Sequence, residues 1–276
     1  MGDEVKGGKY KDYKFNYVLI GDGDQPVILF LHGFMGSWQD FQEVANLLQN
    51  DFCCLLVDLP GHGKTEVNCN LDYRMERVAI AIIALLGKLA IQQCFLVGYS
   101  MGGRLALYLA VYFPQYFQKV VLESASPGLK HKADRENRIK QDLNVVNRLK
   151  SEDLSVFLQH WYSNPLFSSF IKHPNYQKAI AQKMANDPQK LTISLIHMGL
   201  GIQPPLWDHL KFIQLPILLI VGELDFKFTA INQRISVLSP QFLIEIVKNT
   251  DHNVHFEQSF KFAQLLKDFL KNRCKK

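Results

Sequence analysis

Ser100 stands in the run Gly98-Tyr99-Ser100-Met101-Gly102-Gly103. The apolar stretch Cys94-Phe95-Leu96-Val97 precedes it, and a helical pattern of Leu105, Leu107, Leu109 and Ala110 follows. A strand that feeds a Gly-x-Ser-x-Gly turn and then a helix is the setting of a nucleophile elbow. The glycines let strand and helix pack closely. The hydroxyl is then held out beside a helix N-terminus, where negative charge is stabilised. Alone the motif has limited specificity, because Gly and Ser are common in turns. A serine hydroxyl needs a base, and the base needs an orienting acid. Asp225 follows the apolar run that ends at Val221, and His252 follows the run that ends at Val247. Each is in a loop just past a strand. Glu223 and Asp251 are rival acids and His255 is a rival base. Asp225 is preferred because it lies further into its loop, and His255 reads as the start of the closing helix. An oxyanion needs two backbone N–H donors. Met101, directly after the serine, and Phe34, after His32-Gly33 at the end of an earlier strand, are the candidates.

The elements that must position these residues follow an α/β rhythm. Strand patterns at 27–31, 52–57, 94–97 and 120–122 alternate with helical patterns at 41–48, 72–89 and beyond the elbow. Residues 127–210 break this rhythm: 135–149, 154–161, 176–186 and 191–198 look helical, and no convincing strand intervenes. Strands resume at 216–221 and 243–247, with helices near 230–237 and 260–269. The expectation is a mostly parallel central sheet with helices on both faces, split by an all-helical lid. The core is 1–126 and 211–276, and the lid is 127–210. The lid would cover the carboxyl ends of the strands, where open α/β sheets bind ligands.

Bulk properties narrow the function. The 276 residues are 47% hydrophobic and 21% charged, the composition of a globular domain. No apolar run reaches the roughly 18 residues of a membrane span. The polar start, 1–12, has no apolar segment of a secretory signal, so a cytoplasmic location and no membrane insertion are expected. The formal charge is +5, partly from the tail residues Lys271, Arg273, Lys275 and Lys276. That tail reads as a solvated helix end, and no basic patch interleaved with aromatics argues for nucleic acid. Five cysteines, Cys53, Cys54, Cys69, Cys94 and Cys274, form no C-x-x-C pair. They read as reduced and mostly buried thiols.

The chain order Ser100, Asp225, His252 is that of the α/β-hydrolase superfamily, which the chain resembles over nearly its full length. The resemblance is closer to one branch, the 2-succinyl-6-hydroxy-2,4-cyclohexadiene-1-carboxylate synthases of menaquinone and phylloquinone biosynthesis. It rests on Leu31-His32-Gly33-Phe34-Met35-Gly36-Ser37, Leu59-Pro60-Gly61-His62-Gly63 and the elbow continued by Arg104. Ser126-Pro127-Gly128-Leu129, His160-Trp161-Tyr162, Gly222-Glu223-Leu224-Asp225-Phe226-Lys227-Phe228 and His252-Asn253-Val254-His255-Phe256-Glu257 extend it. Arg104 after Ser-Met-Gly-Gly, Pro-Gly-Leu before the insertion and Asp-x-Lys-Phe are the selective features. The resemblance implies a lyase that eliminates pyruvate from a cyclohexene bearing succinyl, carboxylate and enolpyruvyl groups. It implies no metal or organic cofactor. Ser100 would act as the base or relay to it, activated by His252 and oriented by Asp225, while the Phe34 and Met101 amides hold negative charge. The chain departs from the family pattern at Asp251, where glycine is usual, at Glu123-Ser124-Ala125, and at Lys183, where arginine is expected.

The cations fit a small substrate with several carboxylates. Arg104 lies one turn into the elbow helix, Arg135 opens the insertion, Lys183 lies in a later helix, and Lys227 lies two residues past the acid. Arginine forks grip carboxylates in two places, and lysine offers a point charge. Arg138, one helical step from Arg135, reads as a surface charge. Tyr99 and Trp161 are candidate substrate contacts that would serve equally well as core aromatics. A monomer is expected. Two other functions are compatible with these residues: a carboxylesterase or carbon–carbon bond hydrolase with the same triad, and a small-ligand receptor without catalysis.

Overall fold

The computed structural model describes residues 12–271. The tail cations Arg273, Lys275 and Lys276, with Cys274 and the polar start 1–11, lie outside this range. A short ribbon pairs β1 (Tyr13–Lys14) with β5 (Glu66–Val67). The main sheet has seven strands: β2 (Tyr17–Ile20), β3 (Val27–Leu31), β4 (Cys53–Val57), β6 (Cys94–Tyr99), β7 (Phe117–Glu123), β8 (Ile217–Gly222) and β9 (Phe242–Val247). Their spatial order is β2-β4-β3-β6-β7-β8-β9, and β2 alone runs antiparallel.

The inner strands read as unbroken apolar runs because both faces of the sheet are covered. Side chains alternate between the faces. Leu29, Leu31, Leu55, Val57 and Leu96 enter one core, while Ile28, Phe30, Cys54, Leu56 and Val97 enter the other. Helices α2 (Met75–Lys88) and α3 (Met101–Tyr112) pack on the first face. Helix α1 (Gln42–Leu48) and the last helix, α10 (Ser259–Lys271), pack on the second. The helix expected over 72–89 begins later, because 70–73 form a 3-10 turn and extended Arg74 stands before the first helical residue.

Between β7 and β8 the described residues hold no strand. Helices α4 (Lys132–Ser151), α5 (Leu154–Tyr162), α6 (Tyr176–Lys183) and α7 (Pro188–Met198) build this insertion. It has its own aromatic core of Phe157, Tyr162, Phe167 and Phe170, which reaches down to Met35 of the main domain. Its last stretch returns to the sheet early, since Leu206 and Leu210 are fully buried in the first core. Helix α8 (Phe226–Ser236) and the short α9 (Val254–Glu257) complete the fold.

The strand order sets the site. Consecutive strands step outward from β3 in one direction to β4 and in the other to β6, so β3 and β6 border the switch point where α/β sheets leave a crevice. The loop after β3 carries His32 to Phe34, and the loop after β6 carries Ser100. Two buried histidines brace the floor of this crevice. His32 Nδ1–H donates to the Gly33 carbonyl (2.7 Å), and Nε2 accepts from the Leu59 N–H (2.9 Å). His62 Nδ1–H donates to the Pro60 carbonyl (3.1 Å), and its Nε2 is buried without a partner. Burial pushes both below the usual imidazole range, and for His62 the neighbouring His32 adds to it.

These shifts predict acid sensitivity. An unfolded histidine takes up a proton near pH 6.5, whereas these stay neutral in the fold. Their stabilisation is therefore complete above the unfolded value and is lost as pH falls towards the folded one. Each contributes a slope of at most about 1.4 kcal/mol per pH unit between its unfolded and folded values. Urea midpoints measured from pH 7 to pH 5 should fall steeply. His62→Phe, which keeps the edge contact with Phe34, should flatten the fall, and an unchanged slope would show that His62 titrates alike in both states.

Candidate active site

Ser100 is built into a strained turn. Its φ of 49° and ψ of −106° lie outside the ordinary wells of an L-residue. Such strain persists only where surroundings enforce it. The Ser100 N–H donates to the Glu123 carbonyl of β7 (2.9 Å), which ties the turn to the neighbouring strand. The glycines make the turn possible through close approach. A Cβ at Gly102 would meet the Leu31 carbonyl oxygen at 2.1 Å, and one at Gly98 would meet the Gly102 carbonyl oxygen at 2.5 Å. Helix α3 therefore starts against both β3 and β6.

Asp225 and His252 come to this turn from β8 and β9. Ser100 Oγ–H donates to His252 Nε2 (3.0 Å), and His252 Nδ1–H donates to Asp225 Oδ2 (2.7 Å). The second carboxylate oxygen of Asp225 accepts from the Phe228 N–H (3.1 Å), so the acid also caps α8. That cap explains why α8 starts at Phe226 and not near 230. The rival acids are engaged elsewhere. Glu223 accepts from the Asn249 N–H (3.1 Å), and Asp251 accepts from Ser168 and Ser169. His255, the rival base, lies within α9, where Glu123 accepts from its backbone N–H (2.9 Å) and from its ring (2.8 Å).

A cavity of about 260 Å³ opens above Ser100. Phe34 and Met101 line it, and the Met101 N–H is among the first, unpaired donors of α3. Tyr99 and Trp161 also line it, with Phe167 and Phe228 packed against the His252 ring at 6.0 and 4.6 Å. Four cations face the cavity, Arg104, Arg138, Lys183 and Lys227, against the single carboxylate of Asp40.

Comparison with known proteins places this geometry. The model of the α/β hydrolase fold matches residues 26–259. A 2-succinyl-6-hydroxy-2,4-cyclohexadiene-1-carboxylate synthase of Serratia proteamaculans (strain 568) is 30% identical over 254 residues, covering 91% of this chain and 96% of its own. A protein of Bacillus subtilis (strain 168) that bears the same name provisionally is 35% identical over 260 residues, covering 91% and 92%. The chain belongs to this synthase family of α/β-hydrolases. The structure of MenH from S. aureus superposes with a TM-score of 0.86 at 30% identity, covering 94% of this chain and 98% of that one.

The cation set of this family member differs from the sequence expectation at two places. Arg135 does not line the cavity. Its guanidinium turns back to donate to the Leu129 and Lys130 carbonyls (3.0 and 2.9 Å) and so closes the start of α4. Arg138 is not a surface charge. It lines the cavity and is anchored by Asp142, one helical turn on, at 2.7 Å. Arg104 donates to Gln203 Oε1 (2.9 Å). Burial and the nearby Arg138 push Arg104 down to about 9, an unusual burden on a guanidinium. Lys183 is buried and paired with Asp40 (3.2 Å). Burial works against its charge, but Asp40 and the Tyr162 hydroxyl outweigh that and hold the ammonium above its usual range.

Three further contacts escaped sequence reasoning. Asp40 meets Lys183 across 143 positions and Glu123 meets His255 across 132. Tyr99 donates its hydroxyl to Asn253 Oδ1, next to His252, and its ring packs on both His252 and His255. A glutamate closing a buried strand was the one available signal for the second pair. Among the described residues no group of three or more His, Cys, Asp or Glu side chains is placed to hold a metal ion. No helix there is long and apolar enough to cross a membrane.

Proposed function

We propose that this enzyme is the lyase that releases pyruvate from 2-succinyl-5-enolpyruvyl-6-hydroxy-3-cyclohexene-1-carboxylate in menaquinone or phylloquinone biosynthesis. The observation that carries the reading is a hydrolase-type triad facing a cavity lined by four cations, of which Arg138 and Lys183 are paired with Asp142 and Asp40 while Arg104 is held by the neutral Gln203. Such a charge balance suits a substrate with three carboxylates and is wasted on an apolar ester.

The chemistry follows from the bonds. The ring hydrogen at C2 lies next to the succinyl ketone and is the acidic one. Ser100 Oγ removes it while passing its own proton to His252 Nε2, and Asp225 stabilises the imidazolium. The ketone oxygen takes up negative charge, held by the N–H groups of Phe34 in the loop after β3 and of Met101 at the start of α3. The electron pair then returns to form C2=C3, the ring π bond moves to C4=C5, and the C5–O bond breaks. Enolpyruvate leaves with that pair and is protonated on carbon to pyruvate. Arg104, Arg138 and Lys227 bind and orient the carboxylates, Lys183 acts at the far wall, and Tyr99 and Trp161 shape the pocket. The insertion, from residue 127 to the stretch that rejoins the core at Leu206, serves as the lid.

The test is to add the purified enzyme to the enzymatically generated intermediate and follow pyruvate and the diene chromophore together. Both should appear in equal amounts, with feeble turnover of chromogenic esters by comparison. Rapid ester hydrolysis without pyruvate release would favour the serine-hydrolase reading.

A further inference from the structure

The loop that carries His252 is tied to the insertion by a set of hydrogen bonds that includes neither Ser100 nor Asp225. Asp251 Oδ2 accepts from Ser168 Oγ (2.7 Å) and from the Ser169 N–H (2.5 Å). The Asp251 N–H donates to Ser169 Oγ and to Glu257 Oε2, both at 3.1 Å. Ser169 Oγ–H in turn donates to Glu257. Asp251 is 1% exposed, so none of this is surface decoration. Hydrogen bonds to a buried charged group are among the strong ones, and leaving such a carboxylate unpaired is costly.

The two serines sit between two aromatic anchors. Phe167, on one side, lines the cavity and packs edge-on against the His252 ring at 6.0 Å. Phe170, on the other, packs on Phe256 of α9 at 4.8 Å. The bonded pair of segments therefore fixes, one residue away on each strand of the contact, both the base and the ring that bears on it. Within the triad Asp225 holds Nδ1 from behind and Ser100 is the partner His252 must act on, so its ring is set from the cavity side by Phe167 together with Phe228 and Tyr99.

On the functional reading given above, we infer that Asp251 is a positioning residue. Its carboxylate, through Ser168 and Ser169, seats the insertion on the catalytic loop and thereby sets Phe167 against His252 in the geometry that proton transfer requires. Seating the insertion and aligning the base are then one event. Small displacements of a catalytic group carry large rate costs, so the effect belongs to kcat more than to KM.

The experiment compares Asp251→Gly, Asp251→Asn, Ser168→Ala and the Gly/Ala double variant. Pyruvate release should show kcat lowered about tenfold for Asp251→Gly and about threefold for Ser168→Ala, with KM within about twofold. The double variant should be no slower than Asp251→Gly, since both changes break one contact. Asp251→Asn keeps an acceptor oxygen and should recover most of kcat. Amide exchange across 166–170 should quicken in the Gly and Ala variants. Additive losses, or faster exchange with kcat within twofold of wild type, would reduce the contact to a plain structural tie and overturn the proposal. Unchanged exchange would deny the contact itself. If the wild type releases no pyruvate, the functional reading has failed, and the rate of Ser100 labelling by a fluorophosphonate across the same variants decides the positioning role: equal rates overturn it.

Discussion

Ser100→Ala is expected to lower pyruvate release at least about a hundredfold while leaving the fold and KM nearly intact. Removing a proton-transfer group of this kind costs roughly 10²–10⁴ in rate, or about 3–5 kcal/mol of barrier. The cavity keeps its cations and the Phe34 and Met101 lining, so binding should survive. His252→Ala should cost a similar factor, because its imidazole is the group that takes the serine proton at 3.0 Å. The two losses should not add, since serine and histidine act as one unit. A double variant as active as either single variant would confirm that coupling. Wild-type-like release from Ser100→Ala would remove the serine from the reaction and leave His252 as the direct base. The alanine variant has a second use. It relieves no φ strain, because alanine at φ 49° is as poorly placed as serine. Any gain in its melting temperature would therefore report lost side-chain desolvation and not a relaxed turn.

What could be seen in the residues beforehand was whatever depends on local sequence. The elbow was legible because strand, turn and helix are adjacent, and Asp225 and His252 because each follows a buried apolar run. The parallel sheet showed in continuous apolar strands such as Cys53–Val57, which alternate only in which core they enter. Contacts between distant segments left no trace of that kind. Nothing near Asp40 announces Lys183, and beyond the oddity of a glutamate closing a buried strand nothing near Glu123 announces His255. The error at Arg135 and Arg138 has a more specific cause. Residues three apart on a helix share a broad face, but only one of them need point inward. Asp142, buried one turn beyond Arg138, fixes the phase and turns Arg138 to the cavity. A buried aspartate in so polar a helix as α4 looks in sequence like one more solvated charge. The edge strand β2 was missed because Tyr17–Ile20 is short and pairs on one side only.

Replacing Arg104 should move stability and activity in opposite directions. Its guanidinium lines the cavity beside Arg138, and burial together with that like charge disfavours it before substrate arrives, with Asp142 offsetting only part of this. Gln203 offers one neutral hydrogen bond in return, worth about 1 kcal/mol. Arg138 already has Asp142, so a substrate carboxylate is the partner that Arg104 lacks, and a charge-assisted pair is worth about 1.5–3 kcal/mol. Arg104→Met keeps an unbranched apolar stem, shorter than the arginine, and removes the charge. Its KM should rise about tenfold to a hundredfold, with kcat changing less, and the dependence of kcat/KM on salt should weaken. Its melting temperature without substrate should rise by about 2–4 °C, the gain expected when a strained functional group is relieved by about 1 kcal/mol. Arg104→Lys separates the two causes. It restores the charge and so the salt dependence, but it lacks the fork and should recover only part of KM. A lower melting temperature for Arg104→Met would mean that Arg104 is a structural brace through Gln203. An unchanged KM would mean that the anion is gripped by Arg138 and Lys227 alone.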